Sequence, residues 1–259
     1  MEFFYLPDEI NSLTAILMIA VSLCTSFISA AAGIGGGLTM LAFLSAILPP
    51  MYLVPIHGII QFGSNFGRAT LSLREIKTNV IIPFVIGCTL GSTVGGYIFS
   101  YLPTNYLKFG IAFFILWSVF GKVPVIKSAL LFPLGFLISV LSMLFGASGF
   151  IMVALVKSMN LAPVSHVATH GAMMTFQHLI KCIVFGIFGF SFASYAPLVV
   201  VMIISGFFGT YIGKKFLIRI LYALSSFICH FVLISTFGSY YMCSVIGIIS
   251  NLVAIGCHS

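Results

Sequence analysis

The sequence predicts an all-α polytopic membrane protein with two inverted-topology repeats, Gly/Pro-broken helices and roughly eight to ten membrane segments. Hydrophobic residues make up 61% of the 259-residue chain and charged residues 6%, whereas a soluble domain carries about 25% charged residues. Residues 10–67 contain no Lys, Arg, Asp or Glu, a run long enough for about three helical crossings of a ~30 Å hydrocarbon core. In addition, the second half of the chain repeats the pattern of the first.

Glycine and proline divide the first half into five segments. The glycine-rich run at 33–37 ends the first helix, and Pro49-Pro50 ends a second piece that is too short to span a bilayer untilted. The first nine residues carry three acids and no Lys or Arg, so the first apolar segment is expected to be a retained span and not a secretory signal. The predicted segments are 13–32, 38–48, 53–73, 78–107 and 109–121.

The two halves align when Gly33 is set against Gly146, and one more position of offset extends the match further along the chain. The matches include glycines, prolines, a histidine-glycine pair and a basic residue, so an internal duplication explains them better than chance. We assign residues 1–121 and 122–259 to the two repeats, with an atypical, charge-free tail from about 220. The alternative is that the glycine-rich breaks serve only close helix packing. The matched pairs are Ser29/Ser142, Gly33/Gly146, Gly36/Gly149, Pro50/Pro163, His57/His170, Gly58/Gly171, Arg68/Lys181, Pro83/Pro197 and Gly95/Gly209.

Charge asymmetry predicts that the repeats have opposite orientations. Arg74 and Lys77 make their loop cytoplasmic by the positive-inside rule, whereas the equivalent loop at 188–194 carries no charge and should lie outside. The following loops reverse this pattern, with the basic residues at 214–219 on the cytoplasmic side. Lys122 and Lys127 place the junction between repeats inside. We therefore expect a multi-pass protein of the inner cell membrane.

Polar residues form one stripe in each repeat. Gln61, Asn65 and Arg68 lie 4, 8 and 11 residues after His57. This spacing places the four residues within about 80° of one another on one helix face. Snorkelling of the basic residues to the interface and interhelical hydrogen bonding are simpler explanations. Neither accounts well for histidines and amides one to three turns deeper, so a functional site is predicted. The second stripe contains His170, Gln177, His178 and Lys181.

The predicted site is cationic or neutral. Beyond residue 9 the only carboxylate side chain is that of Glu75, so a cation pump with membrane carboxylates is disfavoured. Arg, Lys and backbone N–H groups at Gly35, Gly36 and Gly149 suit a small oxyanion. The three histidines of the stripes could carry a proton with it. The six cysteines form no CxxC pair or zinc spacing, and neither a cofactor nor a metal is expected.

At these residues the sequence resembles the TauE/SafE sulfite exporter family, also called the toluene sulfonate uptake permease family. The resemblance rests on the Ala32–Gly37 motif, Pro50, the stretch from His57 to Arg68 and the second copy of these features. It covers about residues 12–217 and implies a membrane carrier for sulfite, thiosulfate or organosulfonates. Many members have Thr-Ser where this chain has His57-Gly58, so the substrate can differ from that of the best-known exporters. The resemblance fixes neither the anion nor the direction of transport.

Two other functions remain open at this point. An anion channel would use the same residues, and flux saturation and counterflow would separate it from a carrier. An intramembrane serine protease would use Ser148, within Gly146-Ala147-Ser148-Gly149, with His170 or His178 as the base. The expected partners are a small anionic substrate and the lipid bilayer, with no nucleic acid; a homodimer is the assembly considered.

Overall fold

The computed structural model describes residues 10–32, 35–121, 130–146, 148–213 and 215. Within these ranges the chain forms nine helices, a short 3-10 turn at Leu73–Glu75 and no strand. The acidic N-terminus, the basic residues Lys122 and Lys127, Gly33 and the tail from about 220 lie outside the described residues. The helices are α1 Ser12–Ala32, α2 Gly36–Ser45, α3 Pro50–Thr70, α4 Thr78–Tyr101, α5 Thr104–Phe120, α6 Leu131–Phe145, α7 Gly149–Lys157, α8 Pro163–Ile187 and α9 Ala193–Gly213.

Several helices are apolar enough to lie in a bilayer. The helices α1, α4 and α9 combine the length and the composition of a membrane span, and α2, α5 and α6 are shorter apolar helices. Many large hydrophobic side chains face outward, among them Phe109 and Phe113 on α5 and Ile82 on α4. Lipid is the natural environment for such a surface. The predicted all-α membrane protein is confirmed.

Glycine and proline set the helix boundaries, much as the sequence predicted. Pro50 and Pro163 begin α3 and α8, where their missing N–H groups cost no intrahelical bond. Gly35 before α2 and Gly146 after α6 have positive φ angles of 102° and 91°, a conformation that glycine adopts without strain. The helices α2 and α7 begin at a matched pair of glycines, just as α3 and α8 begin at a matched pair of prolines. These helices of the two halves of the chain thus begin at matched positions of the sequence.

Several predicted helix boundaries were wrong. The third helix begins at Pro50 and ends at Thr70, earlier than the predicted 53–73, because the proline starts the helix itself. The fifth helix was expected after Lys108, but α5 begins at Thr104 and includes that lysine. Pro103 ends the fourth segment and precedes α5, and Lys108 lies in the second turn with an exposed side chain. A lysine so close to a helix end can reach the membrane interface.

The helices α3 and α8 cross antiparallel at the centre of the protein. Just before the middle of α3, Gly58 lies against the methylene groups of Lys181, at 3.3 Å from an ideal Cβ. Near its end, Arg68 lies against Gly171 at 3.4 Å, measured in the same way. The two helices that begin at the matched prolines therefore run in opposite directions past each other.

The helices α4 and α9, which flank the crossing, also pack against other helices through glycines. Gly87 on α4 approaches the backbone of Phe132 on α6, and Gly209 on α9 approaches that of Leu23 on α1. The helix α4 thus lies beside α6, and α9 lies beside α1. Without side chains, these glycines let the helix backbones come close, which is a common means of packing helices in membranes.

Candidate functional site

A cavity of about 270 Å³ lies beside the crossing of α3 and α8, where the broken helices α2 and α7 begin. It receives side chains from both predicted stripes and from both glycine-rich breaks. No carboxylate side chain of the described residues lines it. The lining residues are Ser29, Gly35, Gly37, Leu38, His57, Gln61, Asn65, Arg68, Ser118, Ser148, Gly149, Phe150, Val153, His170, Met174 and His178.

The stripe on α3 faces this cavity with all four of its predicted members. The guanidinium of Arg68 donates through Nη2 to Oδ1 of Asn65. Nδ2 of Asn65 in turn donates to the carbonyl of Gln61 at 2.7 Å. At the other end, Nε2 of His57 lies 2.9 Å from the carbonyl oxygen of Gly37, so this ring donates to the start of α2. These contacts fix the polar face of α3 in one arrangement.

The stripe on α8 reaches the cavity only in part. His170 and His178 line it, and the ring of His178 packs edge-on against His57 with centroids 6.1 Å apart. Gln177 is instead held away from it, because its amide bonds to the hydroxyl of Ser148 at 2.8 Å. Lys181 is also outside the cavity lining, although it was predicted to share the pathway.

The position of Lys181 follows from the antiparallel crossing. Its ammonium donates to the carbonyls of Ser142 and Gly146 at 2.8 and 3.0 Å, at the C-terminal end of α6. Because α3 and α8 run in opposite directions, Arg68 and Lys181 lie at opposite ends of the crossing. The stretch of α3 from Gly58, beside Lys181, to Arg68 corresponds to about 15 Å of helix. One small oxyanion cannot contact both cations in this arrangement.

Several buried nitrogens at the site have no hydrogen-bond partner among the described residues. They are Nε of Arg68, Nε2 of His170, Nδ1 of His57 and both ring nitrogens of His178. A buried polar group without a partner is costly. Protonated nitrogens can donate but not accept, so the missing partner of the guanidinium is an acceptor such as a water molecule or an anion.

The glycine-rich breaks also contribute, but not through every predicted residue. Gly35 and Gly149 line the cavity where α2 and α7 begin, so the free N–H groups of two helix N-termini lie at its edge. Gly36 is not in the lining. It is buried against the carbonyl of Thr25 and the hydroxyl of Ser29, which lets α2 pack closely on α1. Its role is therefore in packing.

Sequence reasoning missed part of the lining. Phe150, Val153, Met174 and Leu38 form an apolar portion, and Ser118 reaches the cavity from α5. Ser118 is the only polar side chain between residues 109 and 120, and that was the available signal. The apolar members carry none, because apolar residues fill most of this sequence.

The geometry does not favour the serine protease. The Ser148 hydroxyl bonds to Oε1 of Gln177 at 3.1 Å, and no bond to His170 is formed among the described residues. A nucleophilic serine requires a base within hydrogen-bond reach. Gln177 cannot accept a proton in that role, so the pair is structural.

Comparison with known proteins identifies the family. The sequence model of the family "Sulfite exporter TauE/SafE" matches residues 18–240. No curated protein matches the chain, and neither does any solved structure. Because the match covers most of the sequence, the chain belongs to the TauE/SafE sulfite exporter family, whose members are membrane exporters and not enzymes.

Proposed function

We propose that this protein is a secondary transporter that carries small sulfur-containing oxyanions, namely sulfite, thiosulfate or an organosulfonate, through the cavity beside α3 and α8. The observation that carries the proposal is the chemistry of the lining. A buried guanidinium, three histidines and two amide side chains face the cavity without any carboxylate among the described residues.

Arg68 is the main binding group in this proposal. Its side chain is only 8% exposed, and a buried cation is unfavourable unless an anion or several acceptors surround it. Nε is free, and the contact from Nη1 to the Ser29 carbonyl is long, at 3.5 Å. Two guanidinium donors, Nε and Nη1, are therefore available to the oxygens of a sulfur oxyanion.

The size of the cavity fits such a substrate. A volume of about 270 Å³ corresponds to roughly nine water molecules at about 30 Å³ each. A sulfur atom with three oxygens fills part of this space and leaves room for a second sulfur, a small organic group or ordered water.

Coupling to protons is proposed through the histidines. His170 lies at the Arg68 end of the crossing, and His57 and His178 lie at the other end. A proton bound to any of these rings while the anion is present would offset charge on the anion. The sequence offers no membrane carboxylate for this task.

The orientation in the membrane is part of the proposal. Residues 1–121 and 122–259 form two repeats of opposite orientation, with the Arg74–Lys77 loop cytoplasmic and 188–194 outside. The antiparallel crossing of α3 and α8 supports this relation, and the positive-inside rule supports the direction. We place the protein in the inner cell membrane as a multi-pass carrier.

Reconstitution into proteoliposomes tests the function. Vesicles are loaded with unlabelled sulfite, thiosulfate, sulfate or sulfoacetate, and uptake of the labelled anion is followed. We expect saturable uptake of at least one sulfur oxyanion other than sulfate, and acceleration by the same anion inside. Uptake that is linear in concentration and shows no acceleration would identify a channel. Absence of flux for all four anions would contradict the proposal.

A further inference from the structure

Arg68 and Lys181 occupy equivalent settings in the two repeats. The alignment of the two halves matches them with each other. Each lies against a glycine of the opposite helix, Gly171 for Arg68 and Gly58 for Lys181, and these two glycines are also a matched pair. Each cation also points a donor at the carbonyl of an equivalent serine, Ser29 or Ser142, near the end of the first helix of its repeat.

The two cations use these equivalent settings differently. Lys181 is fully buried and donates to two carbonyls at the end of α6, with Ser142 outside the cavity. Arg68 faces the cavity, its contact with the Ser29 carbonyl is 3.5 Å long, and Ser29 itself lines the cavity. The same arrangement is therefore closed in the second repeat and open in the first.

We propose that Lys181 is a positioning residue that holds the second-repeat half of the pathway closed, and that Arg68 and Lys181 exchange these two roles in the opposite state of the carrier. In that state Lys181 releases the end of α6 and faces the pathway, and Arg68 closes onto the carbonyl of Ser29. This inference rests on the proposed transport function for its purpose. The geometric argument for it depends only on the equivalent surroundings of Arg68 and Lys181.

The contact of Lys181 with the end of α6 is stable, but an anion can displace it. The last carbonyls of a helix lack intrahelical partners and carry partial negative charge, so the ammonium of Lys181 is well placed at the end of α6. A bond to a charged group is also among the stronger ones. An anion arriving from that side offers the ammonium an alternative partner, and so the two halves can exchange.

Thiol labelling from each side of the membrane tests this exchange. Ser29→Cys and Ser142→Cys are made separately in a background that lacks the native cysteines. Each is treated with 2-sulfonatoethyl methanethiosulfonate, a small anionic reagent that does not cross membranes, in right-side-out and in inside-out vesicles. We expect the two thiols to react from opposite sides, with that at position 142 reacting more slowly.

Lys181→Met provides the second variant, because it keeps the packing of the stem against Gly58 and removes the ammonium. Loss of a charged hydrogen bond should raise the labelling rate at position 142 by about tenfold. In the same protein the rate at position 29 should fall, because the open state of one half excludes that of the other. Unfolding would raise both rates. Lys181→Arg keeps the donors and should leave both rates close to those of the parent.

The labelling rates at positions 29 and 142 decide whether the two halves exchange. Reciprocal changes at positions 29 and 142 support the exchange. Labelling of both thiols from one side overturns it, as does Lys181→Met with either unchanged or jointly raised rates. The reagent needs no transported substrate. Reciprocal labelling without sulfur oxyanion flux would refute the proposed function alone, whereas flux without reciprocal labelling would refute the exchange alone.

Discussion

Replacing Arg68 by Gln is the most informative change to the proposed binding site. Glutamine keeps an amide donor near the same place but removes the charge and the two-pronged geometry. In the structure the guanidinium has a free Nε and only a long contact from Nη1, so two donors are available to an anion. Each hydrogen bond to a charged group contributes about 1.5–3 kcal/mol. If the amide restores part of that, the net loss is about 3 kcal/mol, or roughly a hundredfold in affinity.

The assay is saturable uptake of a sulfur oxyanion in proteoliposomes, measured over a concentration range that reaches saturation. We expect the half-saturation concentration of Arg68→Gln to rise about a hundredfold, or uptake to fall below detection. Arg68→Lys should recover only part of the loss, because an ammonium is a point charge. Lys108→Gln is the matched control, since Lys108 is an exposed cation on α5 outside the cavity lining.

Transport by Arg68→Gln at the parent rate with an unchanged half-saturation concentration would rule out Arg68 as the main binding group. Equal losses in Arg68→Gln and Lys108→Gln would also rule out this role, because a general effect of surface charge would then explain both. Thermal stability of the purified variants is measured alongside. Arg68→Gln should unfold within a few degrees of the parent, since its hydrogen bonds to Asn65 and Ser29 are replaceable by water in the cavity.

Three further predictions concern the fold and the alternatives. Single cysteines in the 74–77 and 188–194 loops should label from opposite sides of the membrane; labelling from one side would replace the inverted repeat by a parallel one. Gly36→Ala should destabilise the protein by about 1–3 kcal/mol in thermal unfolding, because a Cβ there meets the carbonyl of Thr25, whereas Gly186→Ala, with open space around it, should not. Ser148→Ala should keep anion uptake. If the parent instead cleaves a membrane substrate without transporting anions, and Ser148→Ala loses that cleavage, the protease is favoured.

The sequence predicted the helices whose ends are marked by glycine or proline. Pro50, Pro163 and the glycine-rich breaks are local signals, and the backbone begins and ends helices at or beside them. Lys108 misled the prediction of α5, because charge was taken as a boundary where Pro103 was the real one. A lysine side chain is long enough to leave the membrane from within a helix.

The polar face of α3 was predictable, but the partners of the residues on α8 were not. A helical wheel shows that Lys181 and His170 share a face, and the rise per residue places them about 16 Å apart along the axis, but neither identifies partners in other helices. The carbonyls of Ser142 and Gly146 that bind Lys181, and the Ser148 hydroxyl that binds Gln177, come from distant parts of the chain. The contribution of Ser118 likewise depends on how α5 packs.

The most direct measurement is the position of a bound anion in an experimental structure. Selenite is a selenium analogue of sulfite, and its anomalous scattering identifies the anion without ambiguity. We predict a selenium peak in the cavity, within hydrogen-bond reach of the Arg68 guanidinium and near His170, and no such peak in Arg68→Gln. A peak only at the surface pocket that contains Arg74 and Lys77, or an unchanged peak in Arg68→Gln, would contradict it.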